Sequence, residues 1–456
     1  MDKNHYHLVG IGGIGMSCIA KLLLNRGVKV SGSDLKESRI TQELKGLGAQ
    51  VFIGHSANNL QDADVVVYSS AIKETNPEII ESKKNGLPIL KRAQALAELM
   101  KEKIVITVSG SHGKTTTTSL VSYLLLEAGL FPSVAIGGIL RNIDTNACFG
   151  NGNFFVAEAD ESDGSFLYYR PKYSIITNID REHLDYYKEF ENELNAFREF
   201  LNNTEDDGCV FCCSDDENLK NIIAGYKNRH LLFGLKQGAD IWPQNIKMDG
   251  LSSSFDCFYK GRLLDNFQLA LGGEHNVSNS LSVIALALEL GIDLKFVKKA
   301  FCEYKGAKRR LEVKFSERGL KVIDDYAHHP TEIKATLAAA RNLNPGRLIA
   351  IFQPHRYTRT KLLLNEFARS FSLADYIVVS DIYPASEQPI EGLDAKILVE
   401  LIKKQAPGKE VLYLAKEDIV PHVLKILKPT DLLITLGAGD IVKISDELVE
   451  KLKGQG

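Results

Sequence analysis

Long apolar runs are what this 456-residue chain most plainly lacks: none approaches the ~18–20 residues needed to cross a bilayer. The opening residues Met1, Asp2, Lys3, Asn4 and His5 lack the charged-then-apolar layout of a secretory leader. Excess charge is missing too. A net charge of -3 and a pI near 6.4 argue against a general nucleic-acid or membrane-surface binder. Internal repeats and low-complexity tracts are absent. Cysteine is scarce and odd in number, seven in all, which suits reduced thiols rather than a disulfide framework. Cys209 and Cys212 form a C-x-x-C with Cys213 adjacent, but no second ligand pair sits near. Val210 and Phe211 give that stretch the look of a buried strand rather than half a zinc site. These absences lead to the expectation of a cytoplasmic protein with no nucleic-acid and no membrane partner; they do not fix the oligomeric state, monomer or homodimer.

What is present is the balance of ordinary globular domains, with 44% apolar and 25% charged residues, over a length that calls for two or three cores. Strand-like and helix-like stretches alternate along the first hundred residues: His7 to Val9, a glycine turn from Gly10 to Gly15, a helix from Met16 to Arg26, then strands at Val28 to Ser31 and Val65 to Tyr68. A second such unit starts with a strand at Ile104 to Val108, followed by a glycine loop and a helix from Thr116 to Glu127. Strands are also expected at Phe154 to Ala157 and Ser174 to Thr177. A third unit follows the basic stretch Lys305, Lys308, Arg309, Arg310, with strands at Leu320 to Ile323, Leu348 to Phe352, Tyr376 to Val379 and Leu432 to Thr435. The organisation predicts an α/β chain of three domains, at residues 1–100, 101–313 and 314–456.

The glycine loop carries the firmest chemistry. Phosphate groups need close backbone N–H donors, a cation and a hydroxyl that can hold a metal. Gly110, Ser111, His112, Gly113, Lys114, Thr115 and Thr116, between a strand and a helix, supply these parts in a G-x-x-G-K-T-T spelling. Lys114 is placed to neutralise charge on a transferred phosphate, and Thr115 to hold Mg²⁺ through its hydroxyl. ATP is the implied co-substrate.

Gly10, Gly12 and Gly15 spell G-x-G-x-x-G after a strand, with Asp34 at the end of the next one, which is the layout of a dinucleotide site. Alone it would suggest an NAD-dependent dehydrogenase. Hydride transfer has no use for a second, γ-phosphate loop, so a UDP-type ligand with its diphosphate on the helix N-terminus is the favoured reading.

Glu158, Asp160, Glu161 and Asp163 follow directly after a strand. Four carboxylates so close repel one another unless cations share the space, and Mg²⁺ with a triphosphate would do so; a solvated acidic loop would spell the same way. His183, also just past a strand, could complete a magnesium shell or contact phosphate.

Together these blocks resemble the Mur ligases, in order and over nearly the whole chain. They are Gly10 to Ser17, Gly110 to Thr116, Glu158 to Asp163, Gly273 to Asn279, Arg309 to Glu312, Asp324 to Pro330, and Phe352 to Arg359. The resemblance implies a Rossmann-like N-terminal domain for a UDP sugar, a central P-loop ATPase-like domain, and a Rossmann-like C-terminal domain for an amino acid. It implies ATP contacts from Gly110 to Thr116 and from His275, Asn276, Asn279, Arg310 and Asp325. Catalytic roles fall on Lys114, Glu158 and His183, and metal roles on Thr115, Glu158 and His183, with Glu161 open as an alternative direct ligand. The sugar nucleotide is assigned to Gly12, Gly13, Gly15, Met16, Ser17, Ser33, Asp34, His55, Ser69 and Ser70. Tyr326, His328, Arg356 and Arg359 match the part that holds the amino acid, where arginine can fork onto a carboxylate. The stretch Ala196 to Leu201 has no lysine where several relatives place a carbamylated one, which fits the alanine-adding branch.

The implied substrates are UDP-N-acetylmuramate and L-alanine. A carboxylate acylates poorly, so ATP must first convert it to an acyl phosphate, which the amine then attacks. A ligase adding a murein peptide to the same sugar shares the N-terminal and central blocks. A nucleotide-binding scaffold would leave Arg356 and Arg359 without a use.

Overall fold

The computed structural model describes residues 4–69, 71–385 and 387–454. Ser70 of the expected sugar-nucleotide set lies outside the described residues. The chain divides into two compact units, one running up to Gln244 with Asp256–Asp265 and Ser278–Lys305, the other made of Asn245–Phe255, Asn266–Val277 and the chain from Gly306.

The first unit opens with a five-stranded parallel sheet. His5–Val9 is central, paired with Lys29–Asp34 and Val65–Tyr68, and Gln50–Ile53 and Ile89–Lys91 lie outside them. Chain order reverses at the central strand, so its carboxyl end is the switch point where α/β sheets open a crevice. Because all five strands run parallel, Gly10, Asp34, His55 and Ser69 follow strands ending on one edge. The helix Ile14–Asn25 buries Met16, Ile19, Leu22 and Leu23, which anchors the glycine turn to the sheet.

In the same unit, Ile104–Ser109 pairs in parallel with Phe154–Glu158 on one side and Tyr173–Ile176 on the other. Its β-branched run is buried on both faces, as a parallel strand covered by helices requires. The helix Lys114–Glu127 starts immediately beyond the loop that leaves this strand. The sequence places a boundary near residue 100, yet side chains bridge it. Asn146 donates to the Ile14 carbonyl and accepts from Lys21, and the Arg26 guanidinium lies 4.5 Å from the Phe149 ring centroid.

The sequence reading lacks the strands Ser133–Leu140 and Thr145–Cys148, an antiparallel pair beside Phe154–Glu158. It also lacks the series Ile241–Asp249, Ser252–Tyr259 and Arg262–Leu269. Cys209, Cys212 and Cys213 lie buried on the strand Cys209–Cys213 as free thiols.

The second unit carries a six-stranded sheet ordered Glu312–Glu317, Leu320–Asp325, Asp431–Leu436, Arg347–Phe352, Tyr376–Val379 and Glu410–Tyr413. Only the first strand is antiparallel to its neighbour. Apolar cores cover both faces, one around Phe352, Phe367 and Leu398, the other around Ile351, Val420 and Leu448. The loops leaving Leu320–Asp325, Arg347–Phe352 and Asp431–Leu436 therefore share one edge. No described helix is long and apolar enough to cross a membrane.

Candidate active site

Two glycines make the loop before Lys114 possible. Gly113, the N-cap of Lys114–Glu127, sits at φ 86° in the left-handed region, and a Cβ there would come 2.8 Å from the Asn279 side-chain oxygen. Gly110 has φ 122°, with Thr177 Oγ1 2.4 Å from where a Cβ would stand. The loop is pinned from the neighbouring strand end: the His112 amide donates to Asn178 Oδ1 at 2.9 Å, and the Asp180 amide to Ser111 Oγ at 2.7 Å. Lys114 folds back over the loop, donating to the Gly110 and Ser111 carbonyls at 2.6 and 3.2 Å.

The Lys114 ammonium also donates to Glu161 Oε1 at 2.7 Å, and that carboxylate is fully buried. Burial works against the charge on Lys114, but Glu161 and Asp160 outweigh it and hold the ammonium well above the usual lysine range. His183 Nε2 stands 3.4 Å from Glu161 Oε1 and 3.5 Å from Glu182 Oε2. Burial alone would lower the imidazole's pKa; these carboxylates raise it instead. The backbone of His183 is itself left-handed, at φ 55° and ψ 28°, a conformation that non-glycine residues pay to hold.

Glu158 belongs to a different pair. Its carboxylate accepts from Thr115 Oγ1 at 3.1 Å and from the Gly137 amide at 2.8 Å, and burial raises its pKa despite Lys114 nearby. The structure thus groups Thr115 with Glu158, and His183 with Glu161 and Glu182. The Glu161, Glu182 and His183 ligand atoms all lie within 4.8 Å of one another, and Glu161 Oε2 is buried without a hydrogen-bond partner. An orphaned buried carboxylate oxygen beside an imidazole is a donor set that fits a divalent cation.

At the N-terminal glycine loop, the Gly10 and Ile11 amides donate to the Ser33 carbonyl, and the Gly12 amide to Asp34 Oδ2 at 2.9 Å. The helix Ile14–Asn25 has no side-chain cap and no acid in its first turn, so its amide end faces the loop unneutralised. Gly13 is its N-cap and is exposed. A Cβ on Gly15 would meet the Arg92 side chain at 2.9 Å. Met16 and Ser17 are buried, and Ser17 is used within the helix: its amide donates to the Gly13 carbonyl at 2.8 Å and its hydroxyl to the Ile14 carbonyl at 2.9 Å. Ser33 is buried and points inward, donating to Glu78 Oε2 at 2.6 Å and lying 2.9 Å from His55 Nδ1. The Ser69 hydroxyl accepts from the Ala71 amide at 3.1 Å, closing the turn after its strand.

In the second unit, the Arg309 and Arg310 guanidinium groups both lie over the Tyr326 ring, 5.0 and 5.1 Å from its centroid. His328 Nδ1 is 3.1 Å from Glu332 Oε2, and its ring packs edge-on against Tyr326 and His355. Arg359 reaches His355 Nδ1 at 3.3 Å, and His355 stacks on Tyr383 at 9°. Burial, with His328, Arg359 and Arg356 around it, pushes His355 down to about 3, so it stays neutral and accepts from the arginine. Arg356 has φ 70°, a second strained backbone position. Asp325 is committed within its own unit: it accepts from the Leu311 and Ala327 amides, and burial raises it to about 6. His275 is exposed near the start of the helix Glu274–Glu289, and Asn276 donates to the Gly272 carbonyl at 2.8 Å. Asn279 packs against the phosphate loop in the first unit.

Family models match in three consecutive stretches: the catalytic domain of the Mur ligase family over residues 5–104, the Mur ligase middle domain over 108–287, and the Mur ligase glutamate ligase domain over 309–439. The chain belongs to the Mur ligase family. It is 48% identical over 449 residues to a UDP-N-acetylmuramate–L-alanine ligase of Geotalea uraniireducens (strain Rf4), covering 98% of both chains. A UDP-N-acetylmuramate-alanine ligase from Thermotoga maritima superposes with a TM-score of 0.85 at 32% identity, covering 99% of this chain and 100% of that one. A murein peptide ligase from Psychrobacter arcticus gives a TM-score of 0.71 at 25% identity, with 98% of each covered. The three-domain α/β architecture is thus that of the Mur ligases.

Sequence reasoning passed over Glu182, Arg92, Glu78 and Tyr383. Glu182 stood beside His183 in the same segment; the others come together only through the fold.

Proposed function

We infer that this chain joins L-alanine to the carboxylate of UDP-N-acetylmuramate at the expense of ATP, giving ADP, phosphate and UDP-N-acetylmuramoyl-L-alanine for peptidoglycan synthesis in the cytoplasm. The observation that carries the chemistry is Lys114, at the N-terminus of its helix, hydrogen-bonded to a buried Glu161 beside His183. The substrate identities follow from full-length similarity to alanine-adding ligases.

In this reading the amides of Gly113, Lys114 and Thr115 at the helix start cradle the ATP phosphates, and Lys114 turns from Glu161 toward the γ-phosphate as the sugar carboxylate attacks it. Mg²⁺ would be held by His183 with Glu161 and Glu182, or by Thr115 with Glu158, and would supply charge neutralisation between these anions. His112 belongs to the same loop and Thr116 to the helix that follows it, and Asn279 packs against the loop. Gly12, Gly13, Gly15 and Asp34 grip the UDP moiety, the uncapped helix taking the diphosphate. Arg356 and Arg359 hold the alanine carboxylate, with Tyr326 and His328 alongside, leaving the amine to displace phosphate from the acyl phosphate.

Phosphate release measured with UDP-N-acetylmuramate, ATP and either L-alanine or the murein tripeptide tests the assignment. Alanine-dependent turnover is expected; faster turnover with the tripeptide would overturn it.

A further inference from the structure

Glu78 is a fully buried carboxylate in the first turn of the helix Pro77–Lys84, outside every motif above. Its Oε1 accepts from Asn59 Nδ2 at 2.6 Å and from the Ser56 amide at 3.2 Å. Its Oε2 accepts the Ser33 hydroxyl at 2.6 Å, with His7 Nε2 at 3.6 Å. Burial disfavours its charge, but the donors from His7, Ser33 and Asn59 prevail and draw it down to about 2, so it is an obligate acceptor.

A serine hydroxyl has one proton. Ser33 gives that proton to Glu78, so the contact of 2.9 Å between Ser33 Oγ and His55 Nδ1 can only be a bond donated by His55. In a neutral imidazole with its proton on Nδ1, Nε2 is a bare acceptor. His55 retains some exposure, and it follows the strand Gln50–Ile53 next to Lys29–Asp34, beyond the acid that would hold a ribose. That is where the base of a nucleotide lies when its diphosphate sits on the glycine loop.

We propose that Glu78, acting through Ser33, is a positioning residue that fixes the tautomer of His55, so that His55 Nε2 accepts a hydrogen bond from the imide N–H of a uracil base. The relay makes base choice a matter of proton placement: cytosine offers a lone pair at the same ring position and would face the imidazole lone pair. The inference rests on the sugar-nucleotide reading of the N-terminal glycines.

The test uses the full chain at pH 8.5. Calorimetry should show UDP binding at least about tenfold more tightly than CDP or N3-methyl-UDP, the scale of one lost hydrogen bond. Nitrogen-15 spectra of labelled histidine, with the His55 signals assigned by His55→Gln, should show the Nδ1–H form in the wild type. Ser33→Ala, and Glu78→Gln where it folds, should move His55 toward the Nε2–H form and reduce discrimination between the bases to under about threefold. Absence of any UDP binding would overturn the nucleotide reading and the inference with it. UDP binding combined with an Nε2–H tautomer in the wild type, or with equal affinity for the three ligands, would overturn the inference alone.

Discussion

Lys114 and Glu161 form a buried ion pair at 2.7 Å in which the lysine is also tied to two carbonyls of its own loop. In the proposed reaction the ammonium exchanges that acid for phosphate. Lys114→Met should therefore lower turnover by about 10²–10³-fold, the usual scale for removing one charge-stabilising donor. It should also destabilise the protein by about 3–5 kcal/mol, because Glu161 is left buried and unpaired. Adding Glu161→Gln should restore the midpoint of urea unfolding but not phosphate release. Recovery of turnover in the double variant would refute the phosphate role.

Glu161 also bears on cation affinity. Its second oxygen is buried without a partner beside His183 and Glu182, so Glu161→Gln should raise the Mg²⁺ concentration for half-maximal activity about tenfold or more. Mn²⁺ binding followed by electron paramagnetic resonance gives a readout independent of turnover, and unchanged Mn²⁺ affinity would exclude Glu161 as a ligand.

Gly113→Ala and Gly110→Ala should each cost stability by about 1–3 kcal/mol, since both positions combine positive φ with no room for a Cβ. Urea denaturation measures the loss, and the KM for ATP should rise in parallel. An alanine at Gly27, where φ is also positive but nothing lies within 4 Å, should cost less and leave ATP kinetics unchanged.

The loop before the helix Lys114–Glu127 was legible because it is written in one continuous segment, with backbone demands that leave glycine little alternative. The parallel strands were legible too, because burial on both faces leaves short β-branched runs such as Val65–Tyr68 and Tyr376–Val379. The strand Arg262–Leu269 was not. It is mostly exposed and carries Arg262, Asp265, Asn266 and Gln268, so no apolar run marks it. Nor could sequence sort Glu158 from Glu161. Glu158 ends the strand Phe154–Glu158 and Glu161 lies in the turn beyond it, and only that turn sends one carboxylate to Thr115 and the other to Lys114.

Arg359→Ala should raise the KM for alanine by about 10–100-fold while the KM for ATP holds, the cost of losing a charged hydrogen-bond donor. Arg359→Lys should recover little, because a point charge does not reproduce the fork. A variant with normal alanine dependence would place the amino acid elsewhere.

His355 supplies a pH signature. Its folded-state value near 3 lies below the ordinary 6.5, so the unfolded chain binds the extra proton. Its contribution to stability is complete above about pH 6.5 and declines as pH falls toward 3. Replacing it with Gln should flatten the fall in unfolding midpoint over the accessible part of that range, between about pH 6.5 and 4.5. A decline as steep as the wild type's would mean that His355 does not sense the acid.

The left-handed backbone at His183 separates two properties that mutational scans usually confound. Asparagine and glycine suit that conformation, so they should yield a well-folded chain that no longer turns over. Valine or isoleucine would fail earlier, at folding. An abundance screen read beside an activity screen would then show this one position tolerant in the first and intolerant in the second, and only for residues that accept positive φ. Such a pair of readouts would mark His183 as chemically required without any ligand-bound structure.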